Sequence, residues 1–457
     1  MTTMAHALTK TAWTAIGGDD EAPQAVDFVS AGGLPSAFAV TDFASATIAT
    51  AALAVAELLA QIKSPVPQIG VDRRLASLWF WASIRPLGWT LPPVWDPIAG
   101  DYRAQDGWIR LHTNAPHHRA AAERVLGTHP DKEAMARVVV QWKKQDLESA
   151  IVAEGGCAAQ MRPTAEWIHH PQGVAVAEEP LVHVATRAAP TPSDWTLAPA
   201  RPLQGLRVLD LTRVLAGPIA SRFLAGFGAE ILRIDPPGWD EASIAPEVTL
   251  GKRCARLDLR QAADRAIFET LLAGADIILH GYRPDALAAL GYDGAKRRDL
   301  SPGLIDVCLC AYGWSGPWAG RRGFDSLVQM STGIAETGMT WRKAGKPVPL
   351  PVQALDHGTG YLMAAAAIRG VTERLKNGKT LTARLSLART AKFLFDQAVA
   401  VEEPELAKET ADDRDSTIEE TDWGEAQRIA APVRIDGTPM RFVHPARQLG
   451  SAEPHWL

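Results

Sequence analysis

From residue 206 the hydrophobic positions recur with a strand period, then a helix period, then a strand period again: LRVLDL, PIASRFLAGFGA, EILRID. CARLDL, a helical stretch through 261–274, ADIILHGY, a helical stretch near 284–290 and LIDVCLCAY continue the alternation. Apolar strands separated by helices of this length predict an α/β fold with a doubly wound, mainly parallel, Rossmann-like sheet. Ligands of such sheets bind outside the carboxyl ends of the strands. Those ends are TRVLAGP (212–218), DPPG (235–238), HGYRPD (280–285) and AYGWSGP (311–317).

A second pattern spans the whole chain. FAVTDFASATIATAALA (38–54) and VQALDHGTGYLMAAAA (352–367) share one design: an extended apolar approach, one aspartate, then a small-residue helical run. Asp356 lies 314 positions after Asp42, and the same offset carries Pro35 onto Pro349 and Ala51-Ala52 onto Ala365-Ala366. It also carries PQIGVDRRLASLWF (67–80) onto LTARLSLARTAKFL (381–394), so a gapless register over about 45 residues points to an internal duplication. The stretch 95–175, with WDPIAGDYRAQDGWIRLHTNAPHHRAAAERVLG, reads as a strand, a DG turn, a second strand and a helix. The expected organisation is a truncated first copy (1–94), a small α+β domain (95–184), a Pro/Ala-rich linker (185–205) and a Rossmann-like domain with the second aspartate segment (206–395). An acidic linker (396–425) and a C-terminal tail (426–457) complete it.

At 457 residues the chain is too long for one core, and 47% hydrophobic with 22% charged residues is ordinary for a folded soluble protein. Stretches such as 46–60 read as too short and Ala-rich to span a bilayer, and the start has no secretory-signal pattern. The net charge of −5 conceals residues 402–425, where eleven acidic side chains face two basic ones; the remainder carries about +4. Such a run reads as a solvated linker. The rest is too weakly basic for nucleic acid but suits a small anionic ligand. Cys157, Cys254, Cys308 and Cys310 have neither metal nor disulfide spacing, so a reducing cytoplasm is expected.

The strand-end loops carry no G-x-G-x-x-G and no Walker sequence. Asp235 alone is a weak ribose signal. Arg213 stands beside a helix N-terminus that favours anions, although an ordinary βα turn with a surface arginine explains it equally simply. No metal set is expected: His117-His118 and His169-His170 are adjacent pairs that do not converge on one ion. Taken alone, Asp42 and Asp356 each read as the N-cap of the helix that follows. Gly358 and Gly360 would leave room for a bulky group beside Asp356.

Over 203–395, LQGLRVLDLTRVLAGPIASRFLAGFGAEILRIDPPG, GKRCARLDLR, ADIILHGYRPDALAALGY, AYGWSGPWAGRRGFDSLVQMSTG and PVQALDHGTGYLMAAAAI occur in the order that resembles class III CoA transferases. That family includes formyl-CoA and carnitine CoA transferases and the α-methylacyl-CoA racemases; 95–175 is similar to its small domain. The chain thus resembles the back half of one member fused to the front half of another. The resemblance implies an interlocked homodimer acting on acyl-CoA and carboxylate small molecules, with no nucleic acid or membrane partner. Coenzyme A would be a substrate, with no permanently bound cofactor.

It also implies that the Asp356 carboxylate is the nucleophile, passing through a mixed anhydride and an aspartyl-CoA thioester. Val214, Leu215 and Ala216 would lie against the adenine and pantetheine; Leu257 and Arg260, then Gly281, Tyr282 and Arg283, match further CoA-contacting stretches. Arg213, Arg260 and Arg283 would meet the phosphates. Two positions depart from the family pattern: His280-Gly281-Tyr282 stands for its "ENF", and Ala289 for a frequent arginine. The racemase branch pairs the aspartate with the histidine of "GHD"; Gly323-Phe324-Asp325 offers no base there, which disfavours an acyl-CoA racemase or isomerase. A catalytically inactive paralogue serving as a partner subunit is the other alternative.

Overall fold

Six parallel strands with one antiparallel edge organise the second half of the chain in the computed structural model, which describes residues 3–62, 66–189, 195–282, 286–397 and 403–457. Their spatial order is Lys252–Arg256, Glu230–Asp235, Arg207–Leu211, Ile277–His280, Ile305–Cys310, Lys379–Ser386 and His183–Ala188. The winding reverses direction between Arg207–Leu211 and Ile277–His280, where Val208 pairs with Ile277 and Leu211 with His280. Helices cover both faces, so Leu209, Ile277, Ile278, Ile305 and Val307 are fully buried, which explains why these strands read as continuous apolar runs. The reversal leaves a crevice beyond the carboxyl ends of the two central strands. The expected linker begins too early at 185: His183–Ala188 is the antiparallel edge strand, paired with Lys379–Arg384.

The duplication is visible in the backbone. One copy sets Val26–Val29 parallel to Ile69–Asp72 around the helix Val40–Leu59, followed by Arg73–Trp79. The other sets Ile305–Cys310 parallel to Lys379–Ser386 around the helix Ala354–Asn377, followed by Leu387–Gln397. Helix starts (40 and 354), strand ends (72 and 386) and the next helix starts (73 and 387) all keep the 314 offset. The residues before the two helices share a backbone conformation, Ala39 at φ −73°, ψ 64° and Gln353 at φ −76°, ψ 63°.

The two long helices pack on each other, and small residues let them approach. A Cβ at Gly358 would stand 2.5 Å from the Phe43 ring, and one at Gly360 would stand 2.4 Å from the Ala216 carbonyl oxygen. These glycines therefore serve helix packing; they do not leave space for a ligand as the sequence suggested. Contacts are reciprocal between the copies: Phe43 meets Phe393 at 5.7 Å, and Phe80 stacks on His357 at 4.8 Å. Val40–Leu59 is long and apolar enough to cross a membrane (mean hydropathy 1.5), but 94% of that stretch is buried inside the protein.

Residues 403–428 are not a free linker. Arg74 forms a fork with Asp413, at 2.7 Å on each arm, Arg73 bonds Glu403, and Arg85 bonds Glu409. Glu419–Thr421 pairs with Gly424–Arg428, which in turn pairs with Ile84–Pro86. The C-terminal tail is likewise built in, since Val433–Ile435 extends the first copy's sheet beside Ile69–Val71. Residues 398–402 lie outside the described chain. The small domain sets the hairpin Gly100–Ala104/Gly107–Leu111 with Ala158–Gln160 over a core that includes Ile98, Tyr102, Ile109, Met135 and Leu147. Its buried Glu148–Arg162 pair receives Arg321 at 2.9 Å, tying this domain to the 321–324 loop.

Candidate active site

The turn after Arg207–Leu211 is pinned from below. The Asp210 carboxylate accepts from the Thr212 backbone N–H at 2.8 Å, from the Ser221 hydroxyl and from Lys252 Nζ at 3.2 Å. Lys252 also donates to the Pro218 carbonyl, and burial holds its ammonium down to about 8, partly offset by Asp210. Arg213 emerges between the rings of Trp239 (4.6 Å) and Tyr282 (5.4 Å), with Nη2 donating to the Tyr282 hydroxyl at 3.3 Å. The helix Ala216–Gly226 starts with no side-chain cap, so its first N–H groups are available at the crevice.

A cavity of about 360 Å³ opens here, lined by Arg213, Val214, Leu215, Ala216, Gly281 and Tyr282 from the strand ends. His117 and His118 of the small domain, the 321–324 loop and Asp356 complete its walls. Three cations, Arg213, Arg321 and Arg322, share the wall with one carboxylate, Asp356, which suits an anionic ligand.

Asp356 is not an N-cap. It is the third residue of Ala354–Asn377, and Asp325 caps that helix from outside by accepting from the N–H groups of Leu355 (2.9 Å) and Asp356 (3.0 Å). Asp325 also accepts from the Gln329 amide. Burial and the facing Asp325 carboxylate push the Asp356 carboxyl well above its usual range. Burial raises Asp325 to about 6, opposed by its three N–H donors. Asp325 is equipped to keep a negative charge, so at rest the shared proton belongs on Asp356.

Asp42 is not an N-cap either. It is the third residue of Val40–Leu59 and pairs with Arg73 at 3.2 Å, where the offset places Leu387 in the other copy. Burial, reinforced by Glu403, raises its carboxyl against the pull of Arg73. The two copies thus differ in chemistry: Asp42 is neutralised in an ion pair, whereas Asp356 faces a cavity.

Of the residues expected to meet coenzyme A, Arg213, Val214, Leu215, Ala216, Gly281 and Tyr282 line one cavity with Asp356. Leu257 is instead packed in the core with Leu209 and Leu232. Arg260 lies on the surface, forked onto Asp258 with its side chain 76% exposed. Arg283 falls outside the described residues. Sequence reasoning missed Trp239, Arg321, Arg322 and the histidine pair, weighed only as metal ligands; the double arginine in AGRRGFD was the available signal. Among the described residues His280, Asp306 and Cys308 bring donor atoms within 4.8 Å. Arg297 already donates twice to Asp306, at 2.9 and 2.6 Å, and burial keeps the Cys308 thiol protonated, so this cluster is built as an ion pair.

Residues 203–418 match the profile of CoA-transferase family III. A probable fatty acyl-CoA transferase of Mycobacterium tuberculosis is 33% identical over 197 residues, covering 40% of this chain and 50% of that protein. The human succinyl-CoA:glutarate CoA-transferase is 29% identical over 194 residues, covering 40% and 44%. An acyl-CoA transferase of Gibberella moniliformis aligns over 380 residues at 27% identity, covering 77% and 63%. The chain thus spans about half the length of the curated relatives it matches. A crystal structure of the M. tuberculosis protein aligns at 31% identity with a TM-score of 0.39, covering 42% of this chain and 57% of that one.

Proposed function

We propose, from the premise that residues 203–418 belong to CoA-transferase family III, that this protein moves coenzyme A between an acyl-CoA and a carboxylic acid with Asp356 as covalent carrier. The observation that carries this reading is a single buried carboxylate in a cationic cavity at the sheet's reversal point. Asp356 loses its proton to solvent to give the reactive form, its carboxylate oxygen attacks the thioester carbonyl carbon, the C–S bond breaks, and CoA departs as thiolate, leaving a mixed anhydride. The thiolate then attacks the Asp356 carboxyl carbon, releasing the first acid and forming an aspartyl-CoA thioester. The incoming carboxylate displaces the thiolate from Asp356, and that thiolate takes the new acyl group as Asp356 is regenerated. A desolvated carboxylate is a better nucleophile than one in water, and Arg213, Arg321 and Arg322 would draw anionic reactants to it.

The resemblance implies a homodimer. Four buried free thiols suit a reducing compartment such as the cytoplasm. Intact-protein mass spectrometry with a panel of acyl-CoAs tests the reading: an adduct that Asp356→Ala abolishes supports it. Solvent deuterium entering the acyl α-position without CoA transfer would favour the racemase alternative. Absence of both CoA binding and turnover would favour the inactive paralogue.

A further inference from the structure

We infer that Glu241 is a positioning residue whose carboxylate holds Val214 in a left-handed backbone conformation and so presets the mouth of the cavity for coenzyme A. The identity of that ligand rests on the transferase reading; the latch itself rests on geometry. Val214 has φ +63°, and among the described residues it is the only β-branched one with a positive φ. A branched Cβ is strained there, and such strain persists only when the surroundings impose it.

The restraint is visible. The Val214 N–H donates to Glu241 Oε2 at 2.9 Å, and the Trp239 indole N–H reaches the same oxygen at 3.4 Å. The other oxygen, Oε1, is bound by Arg233, which is fully buried and also grips Asp235 at 2.8 Å. Glu241, with its side chain only 6% exposed, therefore ties three pieces of the rim together: the 212–215 turn, the Trp239 loop and, through Arg233, the end of Glu230–Asp235. The arrangement reaches the ligand side directly, because Trp239 is one of the two rings that sandwich Arg213. Val214, Trp239 and Arg213 all line the cavity. Glycine would take this conformation without strain, but valine packs its methyls against the main core. The fold accepts a strained residue here and fixes it with a buried carboxylate.

Without Glu241 the Val214 backbone should relax to negative φ, turning the peptide at the rim. The test is calorimetry of CoA binding to the full chain, with steady-state kinetics, across a cycle of variants. Glu241→Ala should weaken CoA binding by about 10- to 100-fold, with the loss falling on KM rather than kcat. Glu241→Gln, which keeps a carbonyl acceptor, should lose less. In a Val214→Gly background the same Glu241→Ala change should cost clearly less, because glycine needs no restraint and only the ties to Trp239 and Arg233 remain to be lost. An equal loss in both backgrounds, or no loss at all, would overturn the proposal. Hydrogen exchange at the Val214 amide without ligand supplies a second readout: protection should fall in Glu241→Ala, and unchanged protection would also overturn the latch. Lost protection in a protein whose wild type ignores CoA would support the latch and count against the transferase reading.

Discussion

Adding one methyl group at Gly358 separates two roles for that glycine. An ideal Cβ there lies 2.5 Å from both Cε1 and Cζ of Phe43 and 3.6 Å from Thr47 Cγ2. Ordinary carbon–carbon contacts are about 3.5–4.0 Å, so the ring must retreat by roughly 1 Å. It has little freedom to do so, because Phe43 is fully buried and packs against the Phe393 ring. Overpacking of this kind costs about 1–3 kcal/mol, which for a chain of this size lowers the melting temperature by about 1–3 °C. Differential scanning calorimetry of Gly358→Ala, alone and combined with Phe43→Leu, is the assay. The second change vacates space at the clash, so the two should be non-additive by about 1 kcal/mol or more. An unchanged melting temperature together with lost CoA turnover would refute the packing argument and restore the glycine to the ligand.

Removing the Asp325 charge as Asp325→Asn eliminates one of the two causes that raise Asp356, so the acid limb of the kcat/KM profile should move to lower pH; an unmoved limb would show the carboxylates are not coupled. Raised carboxyls contribute stability that is present at acid pH and lost as pH rises through the folded value. Asp356→Asn should therefore melt higher than wild type at neutral pH, with the gap closing on acidification towards the ordinary carboxyl range. Asp413 is shifted the other way, held down to about 2 chiefly by its bonds to Arg74. Its contribution is present above about pH 4 and lost towards pH 2, so Arg74→Ala should destabilise at neutral pH and match wild type in strong acid. Asp42→Asn should leave turnover in place, since Arg73 already neutralises that carboxylate; loss of activity would mean the first copy takes part in the chemistry.

The strand–helix alternation and the 314 offset were legible because period and register are local signals. Both predict the backbone well, down to matching helix starts at 40 and 354. The N-cap reading of the two aspartates failed because the helices begin two residues earlier, and the capping group, Asp325, comes from another helix. The acidic stretch read as a linker because its partners, Arg73, Arg74 and Arg85, lie more than 300 residues away in sequence. The glycines after Asp356 read as ligand space because nothing local reveals that Phe43 fills it. The strand-end residues Arg213 to Ala216 were legible since a doubly wound sheet dictates where ligands sit; Arg260, one loop further out, is turned to solvent and held by Asp258.

The central claim is that Asp356 carries the transferred group covalently. Wild type and Asp356→Ala should be incubated with an acyl-CoA, quenched in acid and weighed intact, with peptide mapping of any adduct. Wild type should gain the mass of CoA less one water on the peptide containing Asp356, and the variant should gain nothing. An adduct mapped to Asp42, or full turnover by Asp356→Ala, would contradict the account.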